Sequence, residues 1–149
     1  CPAQEQRLIR AFGQFNPVTH KSRTDLVNLI EKKAVDADFF QSINGSQFDE
    51  YVSNLSKYAF CLCPRGNGVD THRIWEALYM GCIPIVQNHL THKCLSDLPI
   101  LFVDKWEEVT HQKLVQFLDD ATSIMYNLEK LSFEYWQNLI KDTQDCGCK

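Results

Sequence analysis

Residues 60–86 read FCLCPRGNGVDTHRIWEALYMGCIPIV, and this stretch decides the fold class. Together with Tyr58 and Ala59 it opens on a continuous apolar run that stops at Pro64, the pattern of a strand buried on both faces. The loop Arg65-Gly66-Asn67-Gly68 follows, and Asp70 stands where a cap would start a helix from Thr71 to Met80. Gly81 occupies the position at which helices favour a left-handed end, and Cys82 to Val86 reads as the next strand. Strand, loop, helix, loop and strand within about 30 residues make a right-handed crossover unit of a parallel sheet.

Working outward, Arg7 to Phe15 reads as a strand ended by the turn pair Asn16-Pro17. Ser22 with Asp25 approximates a capping pattern for a helix whose stripe is Leu26, Val27, Leu29 and Ile30, ending near Lys32-Lys33. Asn44-Gly45 signals a turn, and Phe48, Tyr51, Val52 and Leu55 fit a short second helix. Ile100 to Val103 supplies another strand, Thr110 to Leu131 a long helix, and Phe133 to Ile140 a last one. The expected fold is α/β: a Rossmann-like three-layer domain with a mainly parallel sheet and helices on both faces.

A chain of 149 residues with 44% hydrophobic and 23% charged content suits one such domain, 1–149, with about 142–149 as a flexible tail. The net charge of −4 comes without a basic stripe, which argues against nucleic acid as a partner. No apolar window is long enough for a membrane segment in this chain, and no signal peptide is visible. The chain opens at Cys1, which is compatible with an anchor or partner domain upstream. Its seven cysteines (1, 61, 63, 82, 94, 146, 148) lack the paired spacing of a zinc ribbon, and Cys61, Cys63 and Cys82 lie in apolar runs as core residues would. A thiol or metal protein built on Cys61-x-Cys63 and Cys146-x-Cys148 is the weakest reading, because no histidine stands at ligand spacing.

Ligands of open parallel sheets bind beyond the carboxyl ends of the strands, where the loop from Arg65 to Thr71 falls. Gly66 and Gly68 allow close backbone approach or positive φ, and the helix start offers unpaired N–H groups to an anion. Arg65 and Arg73 add permanently charged forks suited to a diphosphate. No Gly-Lys-Ser/Thr closes the loop and G-N-G-V-D-T lacks a third glycine, so neither nucleotide fingerprint of that kind is present. Placed on a helical wheel, Ile74, Ala77 and Leu78 share one face, while His72, Arg73 and Glu76 form a narrow polar strip near the N-terminal half. Arg73 and Glu76 are then either a surface i,i+3 pair or a phosphate donor beside a carboxylate that accepts two ribose hydroxyls.

Pro64-Arg65-Gly66, Asp70, Arg73, Glu76-Ala77-Leu78 and Gly81-Cys82-Ile83-Pro84 resemble the exostosin-like glycosyltransferases, with a P-x-G, R-x-x-E-A-L, G-C-I-P signature. The resemblance is dense over 60–86 and loose outside it. It implies the C-terminal, nucleotide-sugar-binding half of a two-domain GT-B type enzyme, whose N-terminal acceptor domain is absent from this chain. Glu76 would bind the donor ribose, and Arg65 and Arg73 the pyrophosphate; these two are the catalytic candidates, stabilising the leaving group. Gly66, Asn67, Gly68, Asp70, Thr71 and His72 join them as substrate-binding candidates. Thr19, His20 and Arg23 also resemble a family loop near the donor, although a plain helix start accounts for them as well.

The implied activity is hexosyl transfer, with inversion, from a UDP- or GDP-sugar to a glycan or other hydroxyl acceptor. It needs no cofactor or metal, and the general base would lie outside this chain, on a partner domain or subunit. The alternative is a non-catalytic nucleotide-sugar-binding or assembly module that retains the fold. The sequons at Asn44 and Asn54 are compatible with a Golgi lumen, whereas unpaired thiols favour a reducing, cytoplasmic compartment.

Overall fold

The apolar run at 58–62 forms the middle strand of a five-stranded, all-parallel sheet in the computed structural model, which describes residues 7–41 and 48–146. In chain order the strands are β1 (Leu8–Phe15), β2 (Ala37–Gln41), β3 (Tyr58–Leu62), β4 (Ile83–Gln87) and β5 (Leu101–Val103). The helices are α1 (Lys21–Glu31), α2 (Phe48–Leu55), α3 (His72–Tyr79), α4 (His111–Ala121) and α5 (Phe133–Cys146). The sheet order is β2-β1-β3-β4-β5, with Ala11 opposite Ala37 and Phe60, and Phe60 opposite Ile83.

Side chains alternate across each strand, so the central strand feeds two separate cores. Phe60 and Leu62 join Phe15, Leu26, Ile85 and Leu114 on the face covered by α1 and α4. Cys61 and Cys63 join Phe12, Leu55, Ile74 and Ala77 on the face covered by α2 and α3. Each fully buried Phe, Leu or Ile contributes about 1.5–3 kcal/mol relative to exposure. This is the expected α/β arrangement, with helices on both faces of the sheet.

The differences from the sequence expectations are local. The N-cap position of α3 is Thr71 rather than Asp70, and no side chain among the described residues caps it. His20 caps α1, its Nδ1 accepting from the Ser22 amide at 3.1 Å, in place of the expected Ser22 pattern. β2 carried no expectation; it is a short edge strand paired in parallel with β1 and flanked by ion pairs of Arg10 with Asp36 (3.0 Å) and Asp38 (3.1 Å). The long helix foreseen from Thr110 to Leu131 stops at Ala121, where Thr122 and Ser123 hydroxyls donate back to the carbonyls of Asp119 and Asp120. Such back-bonding competes with helix continuation. α5 extends past Ile140 to Cys146, and Tyr79 of α3 is exposed.

Cys61, Cys63 and Cys82 are buried and unbridged, as core residues. The Asn44-Gly45 turn and the sequon at Asn44 lie outside the described residues, as does Cys148.

Candidate functional site

In a 2-1-3-4-5 sheet the chain leaves β1 toward one edge and β3 toward the other, and the loops at the carboxyl ends of these two neighbours part to leave a crevice. Every candidate residue sits on one of those two connections: Thr19, His20 and Arg23 after β1, and Arg65 to Glu76 after β3. Composition and periodicity do not announce this meeting, which depends on β1 and β3 being paired; the one pointer in the sequence is the resemblance of Thr19, His20 and Arg23 to a loop near the donor.

Arg23 joins the two sides. Only 5% exposed, it lies with its guanidinium 5.6 Å from the centre of the Phe15 ring. Its Nε donates to the Arg65 carbonyl at 2.8 Å, and its terminal nitrogens donate to the carbonyls of Pro64 and Asn16 at 3.4 Å. Burial, with the Arg73 charge as a second cause, pulls this guanidinium below its ordinary value. A charge this buried is tolerated because the loop carbonyls satisfy it. Arg23 thus holds the backbone of the glycine loop.

This contact also explains Gly66. A Cβ there would stand 2.8 Å from an Arg23 terminal nitrogen, whereas at Gly68 the nearest atom would be the Asp70 carbonyl oxygen at 3.4 Å. Positive φ is not the reason for either; among the described residues it belongs to Lys33 and Gly81, the latter at the end of α3 as foreseen. The Gly66 amide donates to the Gly68 carbonyl at 3.0 Å, tightening the loop.

Arg73 and Glu76 do not pair with each other among the described residues. Arg73 Nε donates to the Gln14 carbonyl at 2.9 Å, tying α3 to the end of β1, and Glu76 lies 3.8 Å from His72 Nε2. Arg65, Asn67, Gly68 and Asp70 are exposed, and the Arg65 side chain has no hydrogen-bond or ion-pair partner among the described residues. Thr19 is exposed on a single 3-10 turn, Pro17–Thr19.

Among the described residues, three buried polar atoms on this side lack partners: Gln14 Oε1, Tyr51 Oη and Thr71 Oγ1. Burial pushes the Tyr51 hydroxyl far above the usual phenol range, and the Cys61 and Glu76 charges act in the same direction. Sequence reasoning placed Gln14 and Tyr51 in a strand and a helix without a role. Beyond the ends of β3, β4 and β5 lies a cavity of about 200 Å³ between Arg65 and Val69 on one side and Gln87, His89, His92 and Asp104 on the other. Its far wall was also missed; His89 and His92 at i,i+3 directly after a strand were the only available signal.

The uncapped start of α3, two arginines and a half-buried carboxylate therefore surround one crevice. Its unpaired amides and positive dipole end suit an anion. A family model for the exostosin GT47 domain matches residues 3–108. The chain belongs to the exostosin GT47 family. The match spans all five strands of the exostosin domain, and with them both connections that form the crevice. Similar curated proteins include a probable glycosyltransferase of Arabidopsis thaliana, 26% identical over 121 residues, covering 80% of this chain and 22% of that protein. A second Arabidopsis thaliana probable glycosyltransferase is 34% identical over 91 residues, covering 58% of this chain and 16% of that protein. A probable glucuronosyltransferase of Oryza sativa subsp. japonica is 27% identical over 93 residues, covering 57% and 21%. The exostosin chain thus spans about a fifth of the length of these relatives.

Proposed function

We propose that this exostosin domain binds a UDP- or GDP-sugar in the crevice between the β1 and β3 connections and serves as the donor half of an inverting hexosyltransferase. The observation that carries the reading is the loop from Pro64 to Thr71, fixed by Arg23 so that Arg65, Arg73, Glu76 and the uncapped start of α3 border one space. Arg65 and the first amides of α3 take the diphosphate, with Gly66, Asn67, Gly68 and Asp70 forming the loop around it. Arg73 uses the guanidinium nitrogens not engaged with Gln14. Glu76, on the next turn of α3, accepts the two ribose hydroxyls as an ionised carboxylate. Thr71 and His72 flank it, His20 and Arg23 position the two connections, and Thr19 stands at the exposed edge.

Transfer passes through an oxocarbenium-like state while negative charge grows on the departing diphosphate. Arg65, Arg73 and the dipole end of α3 stabilise that charge, each fixed donor contributing about 3 kcal/mol. The acceptor hydroxyl, on a glycan or similar molecule, loses its proton to a base on an N-terminal partner domain outside this chain.

Calorimetric titration with UDP, GDP and their sugars tests the reading. Arg73→Ala and Glu76→Ala are each expected to weaken binding about tenfold or more, the value of one lost charge-assisted bond. No binding of any nucleotide sinks the donor reading and leaves an assembly module; binding that survives both substitutions moves the site elsewhere.

A further inference from the structure

α3 has eight residues, and a helix that short is marginal by itself, so its pose is set by what holds it. Ile74, Ala77 and Leu78 seat it on the sheet, but apolar contact is non-directional and leaves the roll of the helix about its own axis to be fixed by other bonds. At about 100° per residue, Arg73 lies on one flank of α3, Trp75 and Tyr79 share the other, and Glu76 lies between them. The first flank is tied to β1 through the bond from Arg73 Nε to the Gln14 carbonyl. The second is held by a C-terminal segment that lies beyond the residues matched by the family model, 3–108.

That segment reaches α3 because α4 stops at Ala121. Leu114 of α4 packs on the face of the sheet shared with α1, whereas Leu131 packs on the opposite face, so residues 122–127 carry the chain from one face to the other. There the Leu131 carbonyl accepts from Tyr79 Oη at 2.8 Å, and the Trp136 ring meets the Trp75 ring edge to face with centres 6.1 Å apart. Trp136 Nε1 donates to the Lys130 carbonyl at 2.8 Å, closing the segment on itself. Its other attachment is to the connection after β4. The Lys130 side chain is only 12% exposed, and its Nζ donates to the Cys94 carbonyl at 2.6 Å and to an Asp97 carboxylate oxygen at 2.5 Å. The Asn127 amide adds a bond to the Asp97 carbonyl at 2.9 Å. Residues 127–136 thus form a strap, one end on the connection after β4 and the other on the Trp75 and Tyr79 flank of α3.

We infer that this strap fixes the roll of α3 and thereby aims Glu76 into the crevice, with Lys130 and Trp136 as positioning residues for donor binding. The inference rests on the donor reading above. The effect of the strap on affinity runs through Glu76, and it disappears when that carboxylate is removed.

The test uses the full chain carrying Lys130→Met, Trp136→Phe or Tyr79→Phe, each with Glu76 intact and each combined with Glu76→Ala. Tyr79→Phe removes one hydroxyl from an exposed side chain, so it keeps the fold even where the other two do not. Hydrogen exchange of the α3 amides, read against those of β1 and β3, is expected to quicken about threefold to tenfold in each variant, the worth of one hydrogen bond. Titration with UDP and with GDP is expected to show a similar loss of affinity when Glu76 is present and less than about twofold in the Glu76→Ala background. A brace without a positioning role would quicken exchange and leave affinity unchanged, or weaken binding equally in both backgrounds; either result overturns the inference while the donor site stands. Unchanged exchange in α3 overturns the strap itself. If no nucleotide binds the wild type, the donor reading fails and the positioning role fails with it, and the exchange measurement distinguishes that outcome from a strap that does not hold α3.

Discussion

Arg65, Arg73 and Glu76 could be proposed from the sequence as single residues because their chemistry is carried by the side chain itself. The work of Arg23 could not be: whether an arginine meets a phosphate or a carbonyl depends on what folds over it, and here Pro64, Arg65 and Asn16 do. The two loop glycines looked equivalent in sequence and differ in the fold. Gly66→Ala would drive a Cβ against the buried, hydrogen-bonded Arg23 guanidinium, and is expected to cost about 1–3 kcal/mol in urea unfolding. Gly68→Ala, with 3.4 Å to its nearest neighbour, is expected to fall within about 0.5 kcal/mol of the wild type. Equal losses at the two sites would remove the Arg23 explanation.

α3 is the element that carries Arg73 and Glu76 of the proposed site, and its position is set by the apolar face opposite its polar strip. Ile74, fully buried on the inner face of α3, is expected to cost about 2–5 kcal/mol when changed to Ala, and nucleotide affinity should fall with it as the Arg73 and Glu76 turn loosens. A stability loss without an affinity loss would separate the helix from the site. Cys63 directly follows β3 beneath it, and Cys82 leads into β4 after it; both thiols are pushed up by burial. The unfolded chain then loses these protons while the fold keeps them, so stability is full below the ordinary thiol value of about 8.5 and falls as pH rises beyond it. Urea midpoints taken under reducing conditions at neutral and alkaline pH should show this fall, and Cys82→Ala should reduce it. A flat profile would mean the thiols ionise freely. The long helix foreseen after Thr110 failed because periodicity alone ignores Thr122 and Ser123 turning their hydroxyls back on the helix end. The edge strand β2 was missed because ADFFQ is short and what holds it lies elsewhere in the sequence: the parallel pairing with β1, and Arg10 and Tyr58 bonded to Asp36 and Asp38.

At the scale of the whole molecule, residues 60–86 were enough to identify a parallel α/β sheet, because one crossover unit fixes strand direction and handedness. They could not give the strand order, and the order is what turns two separate loops into one crevice. The family assignment gives an exostosin GT47 domain covering about a fifth of its relatives' length. The donor-binding claim depends on the crevice itself, so the most direct measurement is a map of backbone amide chemical shifts during titration with UDP and with GDP. Saturable changes concentrated at residues 65–73 and 14–23, weaker over the outer faces of α4 and α5, are the expected result. No saturable change with either nucleotide, or changes centred away from the β1 and β3 connections, would contradict the account.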